Sequence, residues 1–249
     1  EVRLVLPVGM SVSPSSANGL GACSPAEFGY RTDVPVRCPD ASKIGSVSIV
    51  SPLLDEPLVG SVFLARQGEN PFGSLLALYI AVEGSGVQIK LAGRVDPDPI
   101  TGRLTTTFAD NPELPFSRLD LVLKSGPRAP LVNPQVCGTY ESETRIVSWA
   151  GHVVSARTPM VIDEGCVPVG FAPSFEAGAV NPVGGGSSTF SLTFGRGDHD
   201  EELRDITVQM PEGLTSVVAS AAVCPNALAD AGACGEDSRI GTVTTVAGP

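Results

Sequence analysis

The chain has 249 residues, 42% hydrophobic and 17% charged, which supplies apolar material for a real core and excludes a disordered chain. Its formal charge of -11, from 27 acidic and 16 basic residues, excludes a nucleic-acid or anionic-membrane binder, since such polyanions are held by basic patches that displace counterions. The longest wholly apolar run, residues 75–82, falls far short of the ~20 residues a membrane-spanning helix needs, so no membrane insertion is expected, and no segment has the make-up of a signal peptide.

With 28 Gly and 22 Pro, residues that weaken helices and populate turns, the composition predicts an all-β fold of short strands. In chain order, residues 2–6 read as a strand running into Pro7, and Gly9 then turns the chain. Ser24-Pro25-Ala26-Glu27 is a capping-box pattern with Pro at the first helical position, which predicts one helical turn after Cys23. Strands follow over residues 46–50 and 61–66. Residues 75–82 form an unbroken apolar run between Gly73 and Gly84, which suits a central strand covered on both faces. Val87, Ile89, Leu91 and Val95, then Leu104, Thr106 and Phe108, then Leu119, Leu121 and Leu123 alternate with other residues at a period of two, so one face of each strand points to a core. Pro127, Pro130 and Pro134 interrupt this pattern, and further strands are predicted at 144–149, 159–162, 174–177, 188–194 and 206–209. Asn-Pro pairs at Asn70, Asn111, Asn133 and Asn181 start turns at strand ends.

The chain repeats itself. Leu6-Pro7-Val8-Gly9-Met10, Cys23 and Cys38-Pro39-Asp40-Ala41-Ser42-Lys43-Ile44-Gly45-Ser46-Val47 return in order as Met210-Pro211-Glu212-Gly213-Leu214, Cys224 and Cys234-Gly235-Glu236-Asp237-Ser238-Arg239-Ile240-Gly241-Thr242-Val243. A unit of this length, met once in full and once in part, is expected to be slightly more than one period of a longer tandem array. The repeat also organises the six cysteines. No Cys-x-x-Cys spacing and only two histidines argue against zinc, and each copy carries its own pair. The pairs expected are Cys23 with Cys38 and Cys224 with Cys234, which leaves Cys137 with Cys166. Disulfides imply an oxidising compartment, so the expected location is secreted or cell-surface.

Three phrases carry a resemblance: Ser125-Gly126-Pro127-Arg128-Ala129-Pro130-Leu131-Val132-Asn133-Pro134 leading to Cys137-Gly138-Thr139-Tyr140, Gly170-Phe171-Ala172-Pro173-Ser174-Phe175-Glu176-Ala177-Gly178, and the cysteine cassette ending in Ser-Lys/Arg-Ile-Gly-Ser/Thr-Val. Together they resemble the large repeat-built, secreted or cell-surface proteins of actinobacteria. Residues 203–214 look like the strand-plus-Pro-x-Gly ending of immunoglobulin-like modules in bacterial surface arrays. The resemblance implies location and fold and no chemistry. The architecture expected is two β-sandwich modules, immunoglobulin-like or related, with short helical turns beside the paired cysteines. The first spans residues 1–139, its first 45 residues holding a tail strand and the Cys23/Cys38 cassette. The second spans 140–249 and ends with the start of a second cassette at Cys224/Cys234.

Candidate sites are few. Arg196-Gly197-Asp198 is the tripeptide that integrin-binding adhesins display on loops, although turn chemistry alone also favours it. Asp198, Asp200, Glu201 and Glu202 offer hard oxygen ligands for calcium, against a solvated acidic hairpin, and the D-x-D-x-D-G spacing of a dedicated loop is missing. Asp96 and Asp98, with Asp110 and Asn111, form a weaker cluster in which the following prolines favour a stiff turn. Trp149, the single tryptophan, is read as a core residue in preference to a sugar-stacking platform. His152 and His199 lie in no triad setting, and there is no Gly-x-Ser-x-Gly, His-Glu-x-x-His or phosphate-binding loop. The expectation is a non-enzymatic structural or adhesive module without a cofactor, calcium being the one ion considered, whose partners are neighbouring repeats. The alternatives are a module binding glycan or host protein, and a hydrolase recognisable by a cleft with convergent carboxylates.

Overall fold

The computed structural model describes residues 1–13, 19–166, 170–181, 183–197, 200–201, 203–216, 219 and 221–246. They form two compact units, Glu1–Asp200 and Glu201–Val246, each described by itself.

The first unit runs through β1 (Val2–Val5), β2 (Ser11–Val12), the helical turn α1 (Pro25–Phe28), β3 (Lys43–Val50), β4 (Leu58–Leu64), β5 (Leu76–Gly84), β6 (Val87–Pro97), β7 (Leu104–Phe108), β8 (Arg118–Leu123), β9 (Leu131–Val132), β10 (Gly138–Val147), β11 (Val153–Ile162), β12 (Ser174–Ala179) and β13 (Phe190–Gly195). Nine strands make one sheet in the order β11-β10-β1-β7-β6-β5-β4-β3-β8, while β2 pairs with β9 and β12 with β13. The fold is therefore all-β, with one large curled sheet and two small ones.

Why the large sheet curls follows from the alternation. Paired residues of neighbouring strands share a face. The registers Val47↔Leu121, Ile49↔Leu58, Val62↔Ile80, Ile80↔Leu91, Val95↔Thr106 and Thr106↔Leu4 therefore carry one apolar face through seven strands. Only bending brings so wide an apolar face away from water, and Ile44, Val47, Ile49, Leu58, Val62, Ile80 and Val82 meet there as a buried core. The opposite face of the central strands presents Ala77 and Tyr79, which with Ala65 and Ala92 pack against Cys23 and Phe28 as a second core. Strand β5 is thus covered on both sides, as its unbroken apolar run predicts.

Two sequence expectations meet a different outcome. The division at 139/140 falls inside β10, which pairs with β1 from Val2↔Ile146 to Val5↔Glu143 and with β11 along its whole length. The prolines before it carry the chain from edge strand β8 through the short β2–β9 pair, across to the far side of the same sheet. Residues 206–209, expected as a strand like residues 2–6, have no strand conformation. Strand β1 exists because β7 and β10 flank it, whereas 206–209 has no such neighbours among the described residues. The second unit contains the helical turn α2 (Asn226–Asp230) and a 3₁₀ turn, Glu236–Ser238.

Candidate functional site

The first cassette is a small covalent plug on the sheet. Its chain enters through Cys23, whose N–H donates to the Leu64 carbonyl (2.8 Å) and whose carbonyl accepts from the Arg66 N–H (2.9 Å). The capping box at Ser24 is complete: Ser24 Oγ accepts from the Glu27 N–H (3.2 Å), and Glu27 Oε2 accepts from the Ser24 N–H (2.8 Å) and hydroxyl (2.7 Å). The backbone donor, then the hydroxyl, holds the Glu27 carboxyl below its ordinary range. Gly29 ends the turn in the left-handed conformation, φ 63°, and its N–H donates to the Pro25 carbonyl.

This turn aims Phe28 into the sheet, where its ring lies 4.2 Å from that of Tyr79 at 6° between planes. Both side chains are fully buried. The Tyr79 hydroxyl has no hydrogen-bond partner among the described residues, and burial pushes its pKa up to about 12. From β6, Lys90 Nζ donates to the carbonyls of Gly29 (3.0 Å), Thr32 (3.1 Å) and Val34, clasping the loop that returns to Cys38. The Cys23–Cys38 disulfide closes the plug, and a 3₁₀ turn, Asp40–Ser42, delivers the chain into β3.

The second cassette repeats part of this backbone, although its helical turn has no side-chain cap and ends at Ala231 in the right-handed conformation. Ala222 N–H donates to the Asp237 carbonyl at 3.0 Å where Gly21 donates to Ala41 at 2.9 Å. Ser238 Oγ reaches the Gly235 carbonyl at 2.6 Å, as Ser42 Oγ reaches that of Pro39 at 2.6 Å. Gly213 has φ 87° where Gly9 has φ 80°, and Cys224–Cys234 closes the loop as Cys23–Cys38 does. The surroundings differ: Ile44 and Val47 are each 3% exposed, whereas Ile240 and Val243 are each 91% exposed. The remaining pair, Cys137–Cys166, leaves no free cysteine.

The curled face of the large sheet encloses an apolar hollow of about 550 Å³, with Leu58, Leu78, Ile80, Ile89 and Leu91 on its floor and the exposed Leu53, Leu114 and Phe116 at its lip. Among the described residues no carboxylate lines it. A shallower hollow on the other face of β1, β10 and β11 is lined by Arg3, Arg145, Arg157 and Glu143. Neither holds the pair of carboxylates that glycosidic cleavage uses. The apolar hollow can bury carbon surface.

The remaining sequence candidates do not converge. Arg196 Nη1 donates to the Asp200 carbonyl (2.6 Å), and the Gly197 N–H donates to Asp200 Oδ2 (2.9 Å), so the described part of the Arg-Gly-Asp loop folds onto itself. Asp198, His199 and Glu202 lie outside the described residues, and Glu201 is exposed. Among the described residues no three His, Cys, Asp or Glu side chains gather as a metal site. Asp98 accepts from the Ile100 and Thr101 N–H groups and the Thr101 hydroxyl, an Asx-type turn whose Thr101 backbone donor above all lowers its pKa. Asp96 pairs with Arg94 and Asp110 with Arg31. Trp149 corrects its expectation: it sits at the turn between β10 and β11 with 70% of its surface exposed, because the tight turn leaves the ring nothing to pack on. His152 is exposed as well.

Sequence reasoning missed Lys90 and Tyr79. Each lies on the face of its strand opposite the hollow, and only the cassette lying over that face gives it a role. Comparison with known families, with curated proteins and with solved structures gives no match for the chain.

Proposed function

We propose that the protein is a non-enzymatic structural module of a secreted or cell-surface tandem array, like the repeat-built actinobacterial proteins its cassette phrases resemble. One observation carries this reading: the chain builds a disulfide-closed turn twice, from two segments far apart in sequence, with matching hydrogen bonds at the 3₁₀ turn and matching glycine geometry before it. Three disulfides in a chain without a catalytic cluster among its described residues suit a part that bears load in an oxidising medium. Its partners in this reading are the neighbouring repeats. The test is to raise antibodies to the chain, fractionate the source cells and map cysteines without reduction. Recovery from the medium or envelope, in a product much larger than this chain and with all three disulfides intact, is the expected result. Recovery as a single-copy cytosolic protein with free thiols overturns the proposal.

The apolar hollow favours a second reading, a binding module. Its lining is mostly aliphatic, with Phe108, Phe116, Ser51, Thr106 and Asn111 as the exceptions, which suits a carbon-rich segment of a protein partner better than a glycan. Binding of a fluorescent naphthalene sulfonate to the native chain, abolished by Leu91→Lys in a variant that keeps its strand content, supports that reading. No binding above the background of the unfolded chain removes it.

A further inference from the structure

The second cassette ends in residues 239–246, a segment with the residue types of a strand that has no strand partner among the described residues. Its first-copy equivalent is β3, which β4 pairs on one side and β8 on the other. Ile44 and Val47 are buried by those neighbours, and Ile240 and Val243, which stand in their places, are almost wholly exposed. Two large aliphatic side chains held on a disulfide-closed turn and left in water form an incomplete core.

A glycine says what is missing. Gly45 lies so close to β8 that a Cβ there would stand 2.5 Å from the Val122 carbonyl oxygen and 3.1 Å from Leu123 Cα. The close approach of that backbone requires the absence of a side chain. Gly241 occupies the equivalent place with no such reason in its present surroundings: its φ is not positive, and a Cβ would meet nothing within 4 Å. Glycine in a strand costs stability unless another backbone comes near or a bulge is needed.

We infer that residues 239–246 serve as the β3 of a further repeat's sheet, with that repeat's equivalents of β4 and β8 closing on it from either side and the β8 equivalent seated over Gly241. The contact is head-to-tail, because a cassette that follows one sheet supplies the β3 of the next, and a head-to-tail contact propagates. This inference rests on the repeat-array reading and names its joint.

The experiment fuses residues 51–200 of the chain directly after Val246 of the otherwise complete chain, so that residues 239–246 precede strands of the kind that follow β3, and measures amide hydrogen exchange. Exchange at residues 240–246 is expected to slow by about 100-fold or more relative to the unextended chain, approaching that of β3. Gly241→Val in the extended chain is expected to remove that protection, while in the unextended chain it changes nothing. Unchanged exchange at 240–246 overturns the inference, whether the added strands fold elsewhere or fail to fold. Protection that survives Gly241→Val overturns it too, since some other occupant then covers the segment. Because the experiment uses only the chain's own segments, the joint can fail while the secreted-array reading stands, and that reading can fail in cell fractionation while the joint stands.

Discussion

The two cassettes share a disulfide, a 3₁₀ turn and a set of backbone hydrogen bonds, yet one is among the driest places in the molecule and the other is bathed in solvent. The difference separates what a short sequence decides for itself from what only distant strands supply. Local chemistry sets the turn. Burial depends on whether an aromatic plug finds a sheet, and on whether the strand that leaves the turn finds partners on both its edges.

The contrast sharpens under substitution. Phe28→Ala removes a fully buried ring from between the first cassette and Tyr79, and should cost about 3–5 kcal/mol in urea unfolding followed by circular dichroism. Leu228→Ala in α2, where the side chain is exposed, should stay within about 0.5 kcal/mol. Equal effects would mean that the second cassette is packed as the first is.

Next in size is the covalent closure. Replacing Cys23 and Cys38 together with Ser releases a loop with a sequence separation of 15, and a fall of about 3 kcal/mol is expected. The same change at Cys224 and Cys234 should leave the unfolding midpoint of the large sheet where it is. A shift of that midpoint would break the comparison.

The smallest effect is at the helical turn. Ser24→Ala deletes the cap and should cost about 1 kcal/mol, whereas the second turn begins at Pro225 without a side-chain cap. The Glu27 carboxyl has a folded pKa below its ordinary value of 4.5, so its contribution is complete above that value and is lost as the pH falls through the lowered one. The stability advantage of the natural chain over Glu27→Gln should therefore narrow as the pH drops below 4.5. An advantage that stays constant into acid would show that the cap does not depend on the ionised group.

Much of this contrast is written in short stretches of sequence. The apolar run at residues 75–82, the period-two strands that follow it and the capping box at Ser24 each depend on neighbours a few residues away, and each appears in the structure as the pattern predicts. What the sequence hides is non-local. Nothing near residues 2–6 announces that β1 slots between β7 and β10, and nothing near 206–209 announces that a similar segment goes without partners. Trp149 illustrates the same limit, since a ring's burial is decided by what packs on it and not by its hydrophobicity. The hollow beneath β3 to β8 is likewise a product of curvature, which alternation permits but does not state. Lys90 and Tyr79 look ordinary until the cassette lies over them.

The phenol of Tyr79 gives alkali a point of entry. Buried without an acceptor among the described residues, it keeps its proton up to about pH 12, while the same phenol in an opened chain gives it up near the ordinary value of 10. Across that interval hydroxide favours the opened form. Base should therefore lift the plug from the sheet and uncover the seam between Phe28 and Tyr79.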